Sequence, residues 1–181
     1  MSTQQQAFRM HLQRLKAGAS QATAISETSR WISDNTFLGN KPYSYKGREF
    51  QKKILDSEAP ESIIRKCSQM GVTEAAARRA LALCGMLKNF TTIYTLPTAT
   101  LAAIIAKTRI NPVIRDSPYL SSTLAGSDNV DVKEFSNNSF LYIRGAASSN
   151  APISIPADLL VHDELDFSDG LVVSQYHSRL T

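Results

Sequence analysis

The sequence predicts an α/β fold in which crossover helices cover a mostly parallel sheet. Three stretches carry that prediction. Ser62-Ile63-Ile64 is a short β-branched run that reads as a buried strand, and it leads through a tight loop into an Ala/Leu-rich helix starting near Thr73. Thr91 to Leu96 is β-branched and aromatic, ends at Pro97, and is followed by an apolar helix over Ala99 to Arg109. Leu159 to Val161 is a third short apolar strand, read as buried, that runs into Asp163-Glu164. Strand alternating with helix indicates parallel pairing, because a parallel neighbour needs a crossover connection.

Composition limits what this fold can be. The 181 residues suffice for one domain with a real core and are too few to expect two. Hydrophobic residues make up 43% and charged residues 20%, which fits a globular chain and excludes wholesale disorder. No apolar run approaches the ~20 residues of a membrane helix, and Met1 to Met10 is polar with no apolar signal core, so neither membrane insertion nor secretion is expected. Cys67 and Cys84 are the only cysteines and form no metal-ligand pattern, so free thiols and no zinc site are expected. A net charge of +4 permits an anionic partner without requiring one.

In chain order, residues 1–40 read as a helical arm. Ala7, Met10, Leu12 and Leu15 form one apolar stripe, with Arg9, Arg14 and Lys16 outside it, and Gly18 ends that segment. Ala24, Ile25, Trp31, Ile32 and Phe37 form a second stripe. Packing on the core is the simpler reading of this arm; a basic arm touching a partner is the alternative. Lys41 to Gln51 follows, rich in aromatics, and then a helix through Ile54 and Leu55. Thr73 to Lys88 has no proline and reads as a helix carrying Arg78 and Arg79. Asn111-Pro112 should end or kink the next helix. Val130 to Phe135 and Phe140 to Arg144 alternate around Ser136-Asn137-Asn138-Ser139, a hairpin turn. Gly145 to Pro156 reads as a loop.

The chemistry gathers at strand ends. In an open parallel sheet, ligands bind at the carboxyl ends of the strands. The loop after Ile64 and the Asp163-Glu164 pair both lie there, so they can face each other across one crevice. A phosphate loop usually reads Gly-x-x-x-x-Gly-Lys-Ser/Thr ahead of a helix. Here Gly71 and Thr73 fit that pattern, Lys66 stands in place of the first glycine, and Val72 in place of the lysine. Lys66 is long enough to reach the same phosphates from the opposite lip of the loop. Lys66, Cys67, Ser68, Gln69, Met70, Gly71, Val72, Thr73 and Glu74 are therefore the expected phosphate-binding segment for ATP. Thr73 would supply a hydroxyl to Mg²⁺, Asp163 would hold the metal shell, and Glu164 would deprotonate the attacking water. Phe50 offers a flat surface and Gln51 an amide for a purine base. His162 reads as a satisfied residue beside its strand, and Asp166 and Asp169 as loop carboxylates or caps. Asp131-Val132-Lys133 reads as an ordinary strand rather than a nuclease element.

Taken together, these motifs resemble the large terminase subunit of tailed bacteriophages, over roughly residues 40 to 170. Pro42-Tyr43-Ser44-Tyr45 with Phe50-Gln51 resembles the adenine-binding segment of that family, and Lys66 to Glu74 its deviant phosphate loop, with the lysine at the loop's start. Leu96-Pro97-Thr98 resembles the exit of its first crossover. Gly145-Ala146-Ala147-Ser148-Ser149, followed by Leu159 to Asp166, resembles the approach to its acidic motif. The resemblance implies a P-loop NTPase fold of the RecA/ASCE-like type, a three-layer sandwich occupying 41–181 behind the arm. It implies an ATP hydrolase, with Glu164 and Lys66 catalytic and ATP and Mg²⁺ as cofactors. It also implies translocation of double-stranded DNA into a procapsid by a homo-oligomeric ring, together with a portal protein and a small terminase subunit. The setting would be the host cytoplasm, docked transiently on the procapsid, with no membrane. The sequence departs from the family where many members carry an arginine in the loop: Ser68 stands there, and Arg65 is the nearest substitute. Ala151 to Pro156 also lacks the arginine often found before the acidic motif. The chain reads as a partial ATPase domain, without the family's coupling strand and nuclease domain, so weak or no hydrolysis is expected of it alone. A helicase-like nucleic-acid ATPase and a non-catalytic nucleotide-binding or structural fragment are the alternative readings.

Overall fold

A computed structural model describes residues 18–125, 129–147 and 155–180. The stripe expected over Ala7 to Leu15 and most of the Gly145 to Pro156 loop, including Ser148 and Ser149, lie outside the described residues.

The sheet is built from the three strongest strand signals that follow the phosphate-loop region. β3 (Thr91–Leu96) is central and pairs in parallel with β5 (Phe140–Gly145) on one side and with β6 (Leu159–His162) on the other. β4 (Val132–Glu134) adds to β5 antiparallel, giving the order β4-β5-β3-β6. The fold is thus α/β, with a mixed, mostly parallel four-stranded sheet. A separate two-stranded ribbon, β1 (Phe37–Leu38) with β2 (Lys41–Pro42), stands apart from it.

The helix α3 (Val72–Met86) is apolar nearly all round, and the reason is its position. Ala77, Ala80, Leu81, Leu83 and Cys84 face the main core with Tyr94, Leu96, Leu141 and Ile143 of the sheet. Ala75 and Ala82 face a second core with Ile32 of α1 (Thr28–Asn35), Leu55 of α2 (Phe50–Leu55), Tyr43 and Tyr45. Tyr43 and Tyr45 are therefore core residues, packed edge to face with ring centroids 5.2 Å apart. On the other sheet face, Ile93 packs with Val172 and Tyr176 of α7 (Gly170–His177). Asp169 caps α7 by accepting from the Leu171 and Val172 amides, the second of the two roles, loop carboxylate or cap, that the sequence left open for it.

Asn111-Pro112 does not end its helix. α4 (Ala99–Ile105) passes through a π-helical turn (Ala106–Ile110) into α5 (Asn111–Asp116), and α6 (Pro118–Thr123) follows. Pro112 lies directly after this wider turn, at the junction where the π-helical hydrogen-bonding pattern gives way to that of α5. The hairpin turn is as expected, with Asn138 at φ +65°. Its neighbour Asn137 donates to the Cys84 and Leu87 carbonyls at 2.8 and 2.7 Å, which ties the turn to the end of α3.

Two strand expectations are corrected. Ser62 to Ile64 is not a strand: residues 61–67 have no regular structure, make no main-chain-to-main-chain hydrogen bond among the described residues, and are exposed, Ile63 to 85%. Two isoleucines give β propensity, but a strand also needs a partner edge, and none of the described strands pairs with this segment. Leu159 to Val161 is a strand but only half-buried, because β6 is an edge strand among the described residues.

Gly145 closes the upper end of the sheet. A Cβ there would lie 2.3 Å from the Ala99 nitrogen and 2.7 Å from the Thr98 carbonyl carbon. Its neighbour Ala146 donates to the Leu96 carbonyl at 2.7 Å, so the turn after β3 rests directly on the end of β5. Gly145→Ala is expected to destabilise the fold by about 3 kcal/mol, since main-chain atoms cannot step aside. Urea unfolding checks this, and an unchanged midpoint would refute the close approach.

Candidate functional site

The loop before α3 turns on two left-handed residues, Gln69 at φ +62° and Gly71 at φ +72°. A side chain at Gly71 would be strained by that backbone, and its Cβ would stand 3.0 Å from Gln51 Nε2 and 3.3 Å from Arg48 Nη1, close enough that these side chains would have to shift. Behind it, the first amides of α3 have no intrahelical acceptor and point out of the helix start, an arrangement that favours an anion. Thr73 and Glu74 lie in this first turn. The Glu74 carboxylate faces away from the loop, to Arg78 at 2.8 Å and Arg109 at 3.9 Å. Cys67, Ser68, Gln69 and Met70 are exposed, and Val72 is buried.

The carboxylate pair meets this loop as the sheet geometry requires. Thr73 Oγ1 donates to Asp163 Oδ1 at 3.2 Å, and Lys66 Nζ donates to Glu164 Oε1 at 2.9 Å. Both contacts join the two segments that sequence reading placed opposite one another. Asp163 is buried, and both its oxygens are engaged. Tyr94 Oη donates to Oδ2 at 2.9 Å, and the Glu164 amide donates to Oδ1 at 3.1 Å. Glu164 holds a left-handed φ of +53°, a conformation that costs a non-glycine residue energy and recurs at functional sites.

The charges follow from these contacts. Donation of a hydrogen bond to the Glu164 carboxylate raises the Lys66 pKa, so the ammonium persists. Burial, reinforced by Asp163, pushes the Tyr94 phenol well above its ordinary value, so it serves as a donor. Burial first, and then His177, lowers His162 to about 4. His162 is therefore a neutral imidazole. It stacks on His177 with ring centroids 5.2 Å apart, and its Nδ1 meets the Thr95 hydroxyl. Its Nε2 is buried and has no hydrogen-bond partner among the described residues.

On the base side, Phe50 is 38% exposed at the start of α2. Gln51 is fully buried. It accepts from Tyr43 Oη at 2.8 Å and donates to the Met70 and Gly71 carbonyls at 3.2 and 3.1 Å. In this arrangement its amide braces the loop before α3. Three residues of the site escaped sequence reading. Tyr94 reaches Asp163 from the middle of a neighbouring strand. Arg48 lies over Gly71, whereas Arg65 is exposed. Arg78 is fully buried, stacked 4.0 Å over Tyr43, and donates to Thr36 Oγ1 at 2.6 Å and to the Phe37 carbonyl at 3.0 Å. No sequence spacing marks these contacts.

The residues present fit a nucleotide with its metal. Gly71 holds the left-handed turn that opens α3, the first amides of a helix favour an anion, and Thr73 and Asp163 offer hard oxygens of the kind Mg²⁺ prefers. No curated protein matches the chain. The family described as the phage terminase large subunit gpA, ATPase domain, matches residues 38–175. A loop and an acidic pair that meet in this way, inside a match spanning most of the sequence, place the chain in the family of phage terminase large subunit ATPase domains.

Proposed function

We propose that this chain binds ATP with Mg²⁺ between the Lys66–Glu74 loop and the Asp163-Glu164 pair, and that hydrolysis there drives double-stranded DNA into a procapsid. Its family is that of the ATPase of a phage DNA-packaging motor. The observation that carries the site assignment is the Thr73–Asp163 hydrogen bond, which brings together residues 90 apart in sequence.

Each residue then has a task. The α3 amides and Gly71 hold the phosphates, and Lys66 offers its ammonium to the terminal ones. Thr73 and Asp163 would hold Mg²⁺, which supplies neutralisation of phosphate charge when bound. Glu164 takes the proton from the attacking water. Phe50 and Arg48 flank the base side of the loop, where a flat side chain and a guanidinium can each cover a purine face. DNA would be gripped mainly through its phosphates, as a translocating motor without sequence preference requires. A homo-oligomeric ring working with a portal protein and a small terminase subunit, docked on the procapsid in the host cytoplasm, is the setting consistent with the family.

The test is calorimetric titration of the chain with ATP. Thr73→Val is expected to weaken binding by about tenfold with Mg²⁺ present and to leave binding in EDTA unchanged. Equal weakening in both conditions would refute the metal role of Thr73.

A further inference from the structure

We propose that Tyr94 is the residue that positions Asp163, fixing one carboxylate oxygen so that the other is presented to Thr73 and the metal shell. The inference rests on the metal-shell reading of Asp163 and Thr73, and adds to it a residue that no loop or acidic motif contains.

Tyr94 sits in the middle of the central strand, in register with Ile143 of β5 on one side and Val161 of β6 on the other. Its backbone is thus held from both edges. Its ring is fully buried in the main core among residues of α3 and β5. A side chain anchored this way has little freedom at its tip, and the tip ends on Asp163 Oδ2 at 2.9 Å. The other oxygen, Oδ1, receives Thr73 Oγ1 at 3.2 Å and the Glu164 amide at 3.1 Å. The two oxygens are therefore distinguished: one faces the core and the phenol, the other faces the loop. Without the phenol, Oδ2 would be buried with no donor, and the carboxylate would gain by rotating away from this arrangement. A hydroxyl needed only to fill space would not have to end on an anion, and phenylalanine would serve as well in that core.

The experiment is binding of a non-hydrolysable ATP analogue to the full chain, by calorimetry, with Mg²⁺ and in EDTA. The ratio of the two affinities reports the metal shell apart from phosphate binding. Tyr94→Phe removes one oxygen from the core and is expected to lower that ratio about tenfold, the scale of one charge-assisted hydrogen bond, with the EDTA affinity unchanged. Tyr94→para-aminophenylalanine restores a donor and should restore the ratio, which a purely structural role would not require. If Tyr94→Phe keeps the full ratio while Asp163→Asn abolishes it, the positioning role is overturned and the metal-shell reading stands. If Asp163→Asn also keeps it, the metal-shell reading itself fails. If Tyr94→Phe loses affinity equally in EDTA, the tyrosine acts through the fold and not through Asp163.

Discussion

Glu164→Gln is expected to lower ATP turnover by about 10²–10⁴-fold, the range for removing a general base, while nucleotide binding persists. Glutamine keeps the shape of the side chain and can still hydrogen-bond, but it cannot accept a proton from water. The left-handed backbone at Glu164 is equally accessible to glutamine, so the variant should keep the local structure. Affinity should not fall, because the substitution removes the negative charge that pairs with Lys66 at 2.9 Å and leaves the ammonium in place for phosphate. The measurements are phosphate release in the assembled motor and equilibrium affinity for a non-hydrolysable analogue. Unchanged phosphate release would exclude Glu164 as the base.

Lys66→Ala should abolish most nucleotide affinity. An ammonium paired with phosphate oxygens contributes roughly 1.5–3 kcal/mol, which corresponds to about 10- to 100-fold in dissociation constant. Among the described residues, Lys66 is the cation that bridges the loop to the acidic pair. Calorimetry on the isolated chain reads this directly, since no turnover is needed. Equal affinity for the variant would remove Lys66 from the site and leave Arg48, beside Gly71, as the cation to test.

These two residues were legible in the sequence for different reasons. Asp163 and Glu164 follow a short apolar strand, and a strand end is a local property. Lys66 was legible only as a displacement from the usual loop pattern, and its contact with Glu164 spans 98 residues. Gly71 was legible because it falls on a glycine position of the phosphate-loop pattern, and its left-handed φ of +72° came from the structure. Tyr43 and Tyr45 resembled part of a base-binding segment, yet the structure packs both against α3. An aromatic residue has the same appearance in sequence whether it stacks on a ligand or fills a core, and only the neighbours decide.

The sequence by itself determined the pieces whose conformation is set locally: the Ala/Leu-rich helix over Val72–Met86, the β-branched strand over Thr91–Leu96, the hairpin around Asn138, the cap at Asp169 and the acidic strand end. Propensity and turn chemistry act over a few residues and can be read along the chain. Tertiary structure decided everything that depends on a distant partner. Residues 61–67 have the side chains of a strand but pair with no edge, so they remain exposed and irregular. Pro112 stays within a continuous helical run, directly after a π turn. Tyr94 is an ordinary core tyrosine by sequence, and becomes part of the site only because parallel pairing sets β3 beside β6 and brings its hydroxyl to Asp163. The physical reason is the same in each case: hydrogen bonds across a sheet are made by the strand that lies alongside, and pairing register, unlike propensity, is a property of two segments at once.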